Sequence, residues 1–134
     1  MKAENVLINA TNSAKLADLG VAQVDPLLNE SQASVVTAGL QDLRFIAPEI
    51  LFEKVCTLET DIYALGLVFY QIASDCNYGL PVIRGMSDMN IFYDRESSLS
   101  VSVDHKEYRR VIDGCIKVDK RERWGIKNVI DALV

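Results

Sequence analysis

Two short groups of polar residues near the start of the chain carry the side chains that a phosphate-and-metal site requires. Lys2-Ala3-Glu4-Asn5 combines a lysine with an asparagine, and Asp18-Leu19-Gly20 begins thirteen residues after that asparagine. Lysine presents a compact positive charge that suits a phosphate, and Mg2+ prefers hard oxygen ligands. Phosphoryl transfer depends mainly on holding phosphates, magnesium and an acceptor hydroxyl in line. Lys2, Asn5 and Asp18 are therefore candidate binding residues.

The residues between these two groups predict a β-hairpin. Val6-Leu7-Ile8 and Lys15-Leu16-Ala17 have the character of two short strands, and Ala10-Thr11-Asn12-Ser13 is typical of the turn between them. Such a hairpin would bring Asn5 and Asp18 close together at one end. Taken alone, Asp-x-Gly is usually a turn and Lys-x-x-Asn is usually surface, but the two at this spacing are much rarer by chance.

Over most of its length the chain resembles the C-terminal lobe of the eukaryotic protein kinases, of the serine/threonine or tyrosine-kinase-like type. Lys2-x-x-Asn5 resembles the end of the catalytic loop, His-Arg-Asp-Leu-Lys-x-x-Asn, and Asp18-Leu19-Gly20 resembles the Asp-Phe-Gly metal motif. Three later patterns follow in family order: Ala47-Pro48-Glu49, Thr60-Asp61-Ile62-Tyr63-Ala64-Leu65-Gly66, and Cys115-Ile116-Lys117-Val118-Asp119 through Arg123. Five ordered patterns across residues 1–124 form a specific signal.

The resemblance implies a role for each candidate site residue. Lys2 would be the catalytic lysine that meets the γ-phosphate of ATP, Asn5 and Asp18 would bind Mg2+, and Leu7 would line the floor under the adenine. A lysine at position 2 follows the serine/threonine pattern, since tyrosine-specific loops normally have alanine or arginine there. The implied activity of a complete parent domain is ATP-dependent phosphorylation of serine or threonine in proteins.

The resemblance also implies that residues 1–134 are a partial kinase domain. The family's catalytic aspartate would lie two residues before Lys2, and the N-terminal lobe would precede it; neither is among these residues. We therefore expect this chain alone to be inactive. The alternative is a non-catalytic, kinase-like interaction module (a pseudokinase) that binds a protein substrate or regulatory protein.

Composition limits the classes of partner. Apolar residues make up 49 % of the 134 residues and charged residues 25 %, as in a globular domain. The net charge of −5 argues against nucleic acid or an anionic membrane surface as a partner, and no apolar run is long enough to span a bilayer. Three widely spaced cysteines fit no disulfide framework, which favours an intracellular setting, cytoplasmic or nuclear.

Hydrophobic periodicity predicts a mainly α fold, a partial kinase C-lobe that begins with the short β-hairpin. A helix over Thr60–Ala73, capped by Thr60, is apolar on nearly every side and must be buried all round. Two later helices, Glu107–Val118 and Ile126–Val134, each show one apolar stripe. By resemblance, Glu49 and Arg123 form a buried ion pair, although Arg123 alone could be an ordinary surface residue.

Other stretches give weaker predictions. Residues 21–46 resemble an activation segment in which Ser31, Ser34 and Thr37 are candidate phosphorylation sites, or merely solvated hydroxyls. Residues 77–104 fall in a region that is variable in the family and often contacts substrates or partners. Within it, Ser98–Val103 alternates like a short strand. His105 stands in a polar stretch typical of surface.

The same resemblance predicts self-association through an exposed apolar surface. In the family, a helix before the catalytic loop covers one side of the Thr60–Ala73 helix, and residues 1–134 do not contain it. Apolar side chains such as Leu67 or Phe69 would then stay exposed, and exposed apolar patches mark interfaces or aggregation.

Overall fold

The computed structural model describes residues 1–17, 45–74, 86–95 and 99–134. Five α-helices lie within these stretches: α1 (Pro48–Phe52), α2 (Leu58–Ala73), α3 (Met86–Arg95), α4 (Lys106–Cys115) and α5 (Ile126–Leu133). Short 3-10 turns cover Ala3–Asn5, Ser100–Ser102 and Lys120–Glu122. The described part of the chain is thus mainly helical with one hairpin near its start, and the expected fold class is confirmed.

The predicted hairpin is present, with its first strand at the predicted residues and its second strand one residue earlier than predicted. Strand β1 (Val6–Ile8) pairs antiparallel with β2 (Ala14–Leu16). Asn9 holds the turn, because its Oδ1 accepts hydrogen bonds from the backbone N–H groups of Thr11 at 3.0 Å and Ser13 at 2.8 Å. Side-chain hydrogen bonds of this kind are why asparagine favours turns.

Helix α2 begins earlier than the sequence suggests. The predicted cap at Thr60 is wrong: the helix starts at Leu58, and Thr57 is the N-cap residue. Thr60 stands in the first turn, where its Oγ1 accepts a hydrogen bond from the backbone N–H of Thr57 at 3.0 Å. The threonine thus closes the helix start from inside the helix, in the manner of a capping box.

Helix α4 packs along α2, and buried side chains of α3 join the same core cluster. Leu67 is fully buried, and Phe69 is half-buried with its ring centroid 5.9 Å from that of Tyr108 on α4. The expectation that Leu67 stays exposed is therefore wrong, although Ile72 remains exposed. The largest core cluster joins these residues: Phe45, Ala47, Tyr63, Leu67, Val68, Tyr70, Met89, Phe92, Tyr93, Val103, Ile112 and Ile116.

Helix α4 buries its predicted stripe, and the ends of α4 and α5 are shifted by a few residues. The prediction that the stripe of α5 is a core face is wrong for most of its length, because only Val129 is buried and the other three apolar side chains of the stripe are exposed. A second, smaller core cluster contains Ile62, Val111, Cys115 and Val129, and so ties α5 to α4 and α2. Burial raises the pKa of the Cys115 thiol to about 12, which leaves this cysteine unreactive. His105 lies exposed next to the ring of Tyr108, as expected for a surface residue.

Two elements differ from expectation. Helix α3 is unpredicted, and the strand expected over Ser98–Val103 is wrong because Ser100–Ser102 forms a 3-10 turn. Met89, Phe92 and Tyr93 are buried at helical spacing, the only signal that could have located α3. None of the helices in the described stretches is long and apolar enough to cross a membrane.

Close packing of α2 on α4 leaves no room at Gly66. A Cβ there would lie 2.6 Å from the Cβ of Cys115 and 2.8 Å from the Cγ2 of Ile116. Real Cβ atoms do not approach this closely, so one helix would have to move. Glycine at this position therefore sets the distance between the two helices.

We expect Gly66→Ala to lower the free energy of unfolding by about 1–3 kcal/mol, because overpacking outweighs the better helix propensity of alanine. Urea denaturation followed by circular dichroism measures the change. Gly125→Ala is the control: the nearest atom to the added Cβ is 3.6 Å away, so only the N-cap preference for glycine is lost. Equal losses in the two variants would contradict the packing argument.

Candidate functional site

The open end of the hairpin joins Asn5 to the last described residue before the second predicted binding group. The backbone N–H of Ala17 donates to the carbonyl oxygen of Asn5 at 2.8 Å, one residue beyond the paired strands. Ala17 is the residue directly before the Asp-Leu-Gly motif. Asp18 itself lies outside the described residues. The hydrogen bond therefore fixes how the chain leads into the motif, relative to Asn5.

Asn5 closes the 3-10 turn that precedes β1. Its backbone N–H donates to the carbonyl oxygen of Lys2 at 3.0 Å, and its side chain is half-buried. Across the described stretches, no cluster of three or more His, Cys, Asp or Glu side chains could hold a metal ion. An amide oxygen is nevertheless a hard donor of the kind that Mg2+ accepts beside phosphates and water.

Lys2 lies on the other side of the same turn. Its Nζ lies 2.9 Å from Oε2 of Glu4, and both side chains are partly exposed, Glu4 more so than Lys2. Ion pairs at the surface contribute about 0–1 kcal/mol. The contact with Glu4 is thus a weak one.

Leu7 faces away from the core. The register pairs Val6 with Leu16 and Leu7 with Lys15, so side chains at successive positions point to opposite faces. Val6 packs partly against the largest core cluster, whereas Leu7 is 54 % exposed. The hairpin thus presents one large apolar side chain on the face opposite to the core.

A buried ion pair fixes the end of the predicted activation segment. Arg123 Nη1 lies 2.6 Å from Glu49 Oε1, and Arg123 Nη2 lies 2.7 Å from Glu49 Oε2. The side chains are 0 % and 2 % exposed, respectively. Two parallel N–H···O bonds give such a pair a defined geometry. The buried pair expected from the resemblance is therefore present, and Arg123 is not an ordinary surface arginine.

The guanidinium also donates hydrogen bonds to three backbone carbonyl groups. Arg123 Nε donates to the carbonyl of Lys117 at 2.7 Å, Nη1 to that of Glu59 at 3.0 Å, and Nη2 to that of Val118 at 3.2 Å. Its carbon Cζ lies 4.8 Å from the ring centroid of Tyr63. One side chain thus connects α1, the start of α2 and the stretch after α4.

Thr60 completes the environment of the carboxylate. Its Oγ1 donates to Glu49 Oε1 at 2.8 Å. Burial by itself raises the pKa of Glu49, but hydrogen bonds from Arg123, its own backbone and Thr60 outweigh this effect and hold the pKa below its ordinary value. Sequence reasoning missed this role for Thr60, because it depends on how α1 meets α2.

Asp119 positions the turn that carries Arg123. Its side chain accepts a hydrogen bond from the backbone N–H of Arg121 at 2.9 Å and caps the 3-10 turn Lys120–Glu122. Hydrogen bonds from the Arg121 side chain and backbone lower the pKa of Asp119 to about 2. Asp119 thus holds the turn that leads directly to Arg123, four residues later.

The hairpin, the Ala-Pro-Glu helix start and the Glu49–Arg123 pair together define a protein-kinase C-lobe. The chain belongs to the protein kinase family: the protein kinase domain matches residues 1–133.

Several serine/threonine kinases are similar to it in sequence. The chain is 29 % identical over 133 residues to serine/threonine-protein kinase PDK1 of Cryptococcus neoformans, covering 94 % of the chain and 10 % of that protein. It is 28 % identical over 137 residues to human serine/threonine-protein kinase WNK4 (97 % of the chain, 10 % of the relative). To human 3-phosphoinositide-dependent protein kinase 1 it is 26 % identical over 134 residues (96 % and 22 %). The chain therefore spans between a tenth and about a fifth of the length of these relatives.

We expect Glu49→Gln to lower the free energy of unfolding by about 3–5 kcal/mol near neutral pH, because Arg123 stays buried without its counter-charge. The pKa of Glu49 is lowered by folding, so its contribution is present above the ordinary glutamate pKa and is lost as pH falls through the folded value. In urea denaturation, the difference between wild type and Glu49→Gln should be constant above about pH 5 and should narrow below about pH 4.

The control variant is Glu122→Gln, which neutralises an exposed glutamate one residue before Arg123. Its unfolding free energy should stay within about 0.5 kcal/mol of wild type. A Glu49→Gln difference that does not change with pH would contradict the lowered pKa.

Proposed function

We propose that this chain is part of a protein serine/threonine kinase domain whose complete form transfers the γ-phosphate of ATP to protein hydroxyl groups. The observation that carries the proposal is the 2.8 Å hydrogen bond from Ala17 to Asn5, which joins the Lys-x-x-Asn turn to the residue directly before the Asp-Leu-Gly sequence. The similar serine/threonine kinases favour the same acceptor class.

In this proposal each site residue has one role. Lys2 lies beside the γ-phosphate and stabilises the charge that is transferred with it. Asn5 and Asp18 supply the amide and carboxylate oxygens for Mg2+, which when bound neutralises phosphate charge. Leu7 offers its exposed side chain as the floor under the adenine. The proposal assigns to none of these residues the removal of a proton from the acceptor hydroxyl.

The proposal includes that residues 1–134 alone are inactive. The catalytic aspartate and the N-terminal lobe, which the family uses to hold the nucleotide, are not among these residues. The coding sequence upstream of Met1 discriminates the two readings. An in-frame His-Arg-Asp triplet whose aspartate lies two residues before Lys2 would favour a kinase. Its absence would favour the non-catalytic interaction module.

We expect purified residues 1–134 to bind ATP weakly and only with Mg2+, with a Kd in the millimolar range or worse (about −4 kcal/mol). Isothermal titration with and without Mg2+ measures this. Asn5→Ala and Asp18→Ala should each abolish the Mg2+ dependence. Phosphate transfer to a generic serine/threonine substrate should not exceed that of the Asp18→Ala variant.

The matched controls remove an asparagine and an aspartate elsewhere on the surface. Asn90→Ala lies on α3 and Asp131→Ala lies on α5, and both side chains are exposed. These variants should bind ATP as wild type does. Binding that is equally strong without Mg2+, or turnover above the Asp18→Ala variant, would overturn the assigned roles.

We also propose a protein partner, since the related kinases carry protein-kinase names. An intracellular location is part of the proposal, since three widely spaced cysteines fit no disulfide framework. Self-association is part of this proposal, but through a different surface from the one expected. Helix α5 turns Val129 inward and leaves three apolar side chains exposed on its outer side: Ile126, Ile130 and Leu133. A second copy of the chain would cover them.

We expect sedimentation velocity to show concentration-dependent self-association of wild-type residues 1–134, and Ile130→Glu to shift the protein toward monomer by placing a charge in the contact. Ile72→Glu is the matched control, because Ile72 and Ile130 are both 52 % exposed. It should leave the association unchanged. A monomeric wild type, or equal effects of both variants, would rule out α5 as the surface.

A further inference from the structure

We propose that Tyr93 is a positioning residue for the protein-substrate side of the site, a role that rests on the proposed kinase function. Its hydroxyl group determines where the predicted activation segment ends. The sequence gives no signal for this role, because Tyr93 lies in the stretch that is variable in the family and belongs to none of its motifs.

The contact is short, buried and distant in sequence. Tyr93 Oη donates a hydrogen bond to the carbonyl oxygen of Ile46 at 2.7 Å, across 47 residues of chain. Both residues are buried. A hydrogen bond in a water-poor interior is electrostatically stronger than at the surface, and a buried carbonyl that loses its partner is costly.

The carbonyl of Ile46 is well placed to transmit this constraint. It belongs to the same peptide group as the nitrogen of Ala47, the N-cap residue of α1. Peptide groups are planar, so holding the oxygen also sets the direction in which the chain enters α1. Two residues later that helix presents Glu49 to Arg123. Tyr93 and Arg123 therefore hold the start of α1 from two sides.

The ring of Tyr93 packs against neighbouring aromatic rings, and its hydroxyl group fixes the position of the Ile46 carbonyl. Ring centroids lie 6.0 Å from Phe52 on α1 and 6.3 Å from Tyr63 on α2, in edge-on arrangements. Aromatic contacts of this kind tolerate a range of angles. A hydrogen bond to a carbonyl is directional, so the hydroxyl is the part that selects one position for Ile46.

Tyr93 lies on α3, in the stretch that often contacts substrates or partners in the family. Its buried side chains Met89, Phe92 and Tyr93 join the largest core cluster, whereas Asn90, Ile91 and Asp94 face outward. Tyr93 thus connects this helix to the end of the segment that, in the proposed function, lies beside the protein substrate. Removing the hydroxyl should loosen that end while the rest of the core stays packed.

The test compares amide hydrogen exchange in wild type and Tyr93→Phe. The amide of Ile50, bonded to the Ala47 carbonyl in the first turn of α1, reports on the segment end. The amide of Ile116, bonded to the Ile112 carbonyl, reports on the core of α4. In Tyr93→Phe, exchange at Ile50 should accelerate at least tenfold more than exchange at Ile116.

The matched control is Tyr70→Phe, which removes the hydroxyl of another buried tyrosine, one that makes no side-chain hydrogen bond to the described residues. Its effect on Ile50 should not exceed its effect on Ile116. Equal acceleration at both amides in Tyr93→Phe, or the same profile in both variants, would overturn the proposal, because a purely structural role loosens the whole core.

Two further measurements keep the outcome clear. If Tyr93→Phe does not fold, the hydroxyl proton of Tyr93 in the wild type is measured by NMR. A hydroxyl proton that exchanges slowly with water supports the buried contact, and one that exchanges as fast as that of free tyrosine overturns it. Magnesium-dependent ATP binding should be the same in Tyr93→Phe and wild type. If the wild type does not bind ATP, this result counts against the proposed kinase function alone, because the hydrogen-exchange result does not depend on ATP binding.

Discussion

The rest of the described structure depends on one buried contact, the double hydrogen bond between Arg123 and Glu49. Neither charge could remain in the interior alone, since desolvation of an unpaired ion is costly. The pair therefore forces α1, the start of α2 and the turn after α4 to meet at one point. Thr60 and the backbone carbonyls around the guanidinium satisfy the remaining polar atoms. Such a network selects one arrangement more than it adds net stability, because its formation also removes two charges from water.

The hairpin and the ion pair serve different parts of the site. Backbone hydrogen bonds bring Asn5 to the residue before the Asp-Leu-Gly motif, so the predicted nucleotide side is organised locally. The predicted substrate side is organised by two side chains that are distant in sequence, Arg123 after the 3-10 turn and Tyr93 on α3. Backbone hydrogen bonds between nearby residues thus organise the nucleotide side of the predicted site. Side-chain contacts between residues distant in sequence organise the substrate side.

The sequence predicts those parts whose residue types are chemically restricted. Glu49 and Arg123 belong to spaced patterns, and the helical stripes of α4 and α5 follow a period of about 3.6 residues. Helix α3 was not predicted, because glycine and proline precede it and the exposed apolar Ile91 lies between its buried side chains and obscures the helical period. The hydrogen bonds of Thr60 with Glu49 and of Tyr93 with Ile46 could not be predicted either, because the partner of a hydroxyl group depends on tertiary packing. For the same reason the sequence does not distinguish Thr57 from Thr60 as the N-cap of α2, since both are suitable residues until α1 packs beside one of them.

The separation of 74 residues between Glu49 and Arg123 has a consequence for how the molecule is made. During synthesis the amino-terminal part of the chain leaves the ribosome first, and α1 and α2 are exposed well before the arginine is joined to them. Contacts between residues so far apart form late, because the intervening loop must close before they contribute. Until then Glu49 has no counter-charge and the apolar faces of α2 lack the cover of α4. The nascent chain therefore passes through a stage in which it exposes more apolar surface, to which chaperones can bind, than the folded protein does.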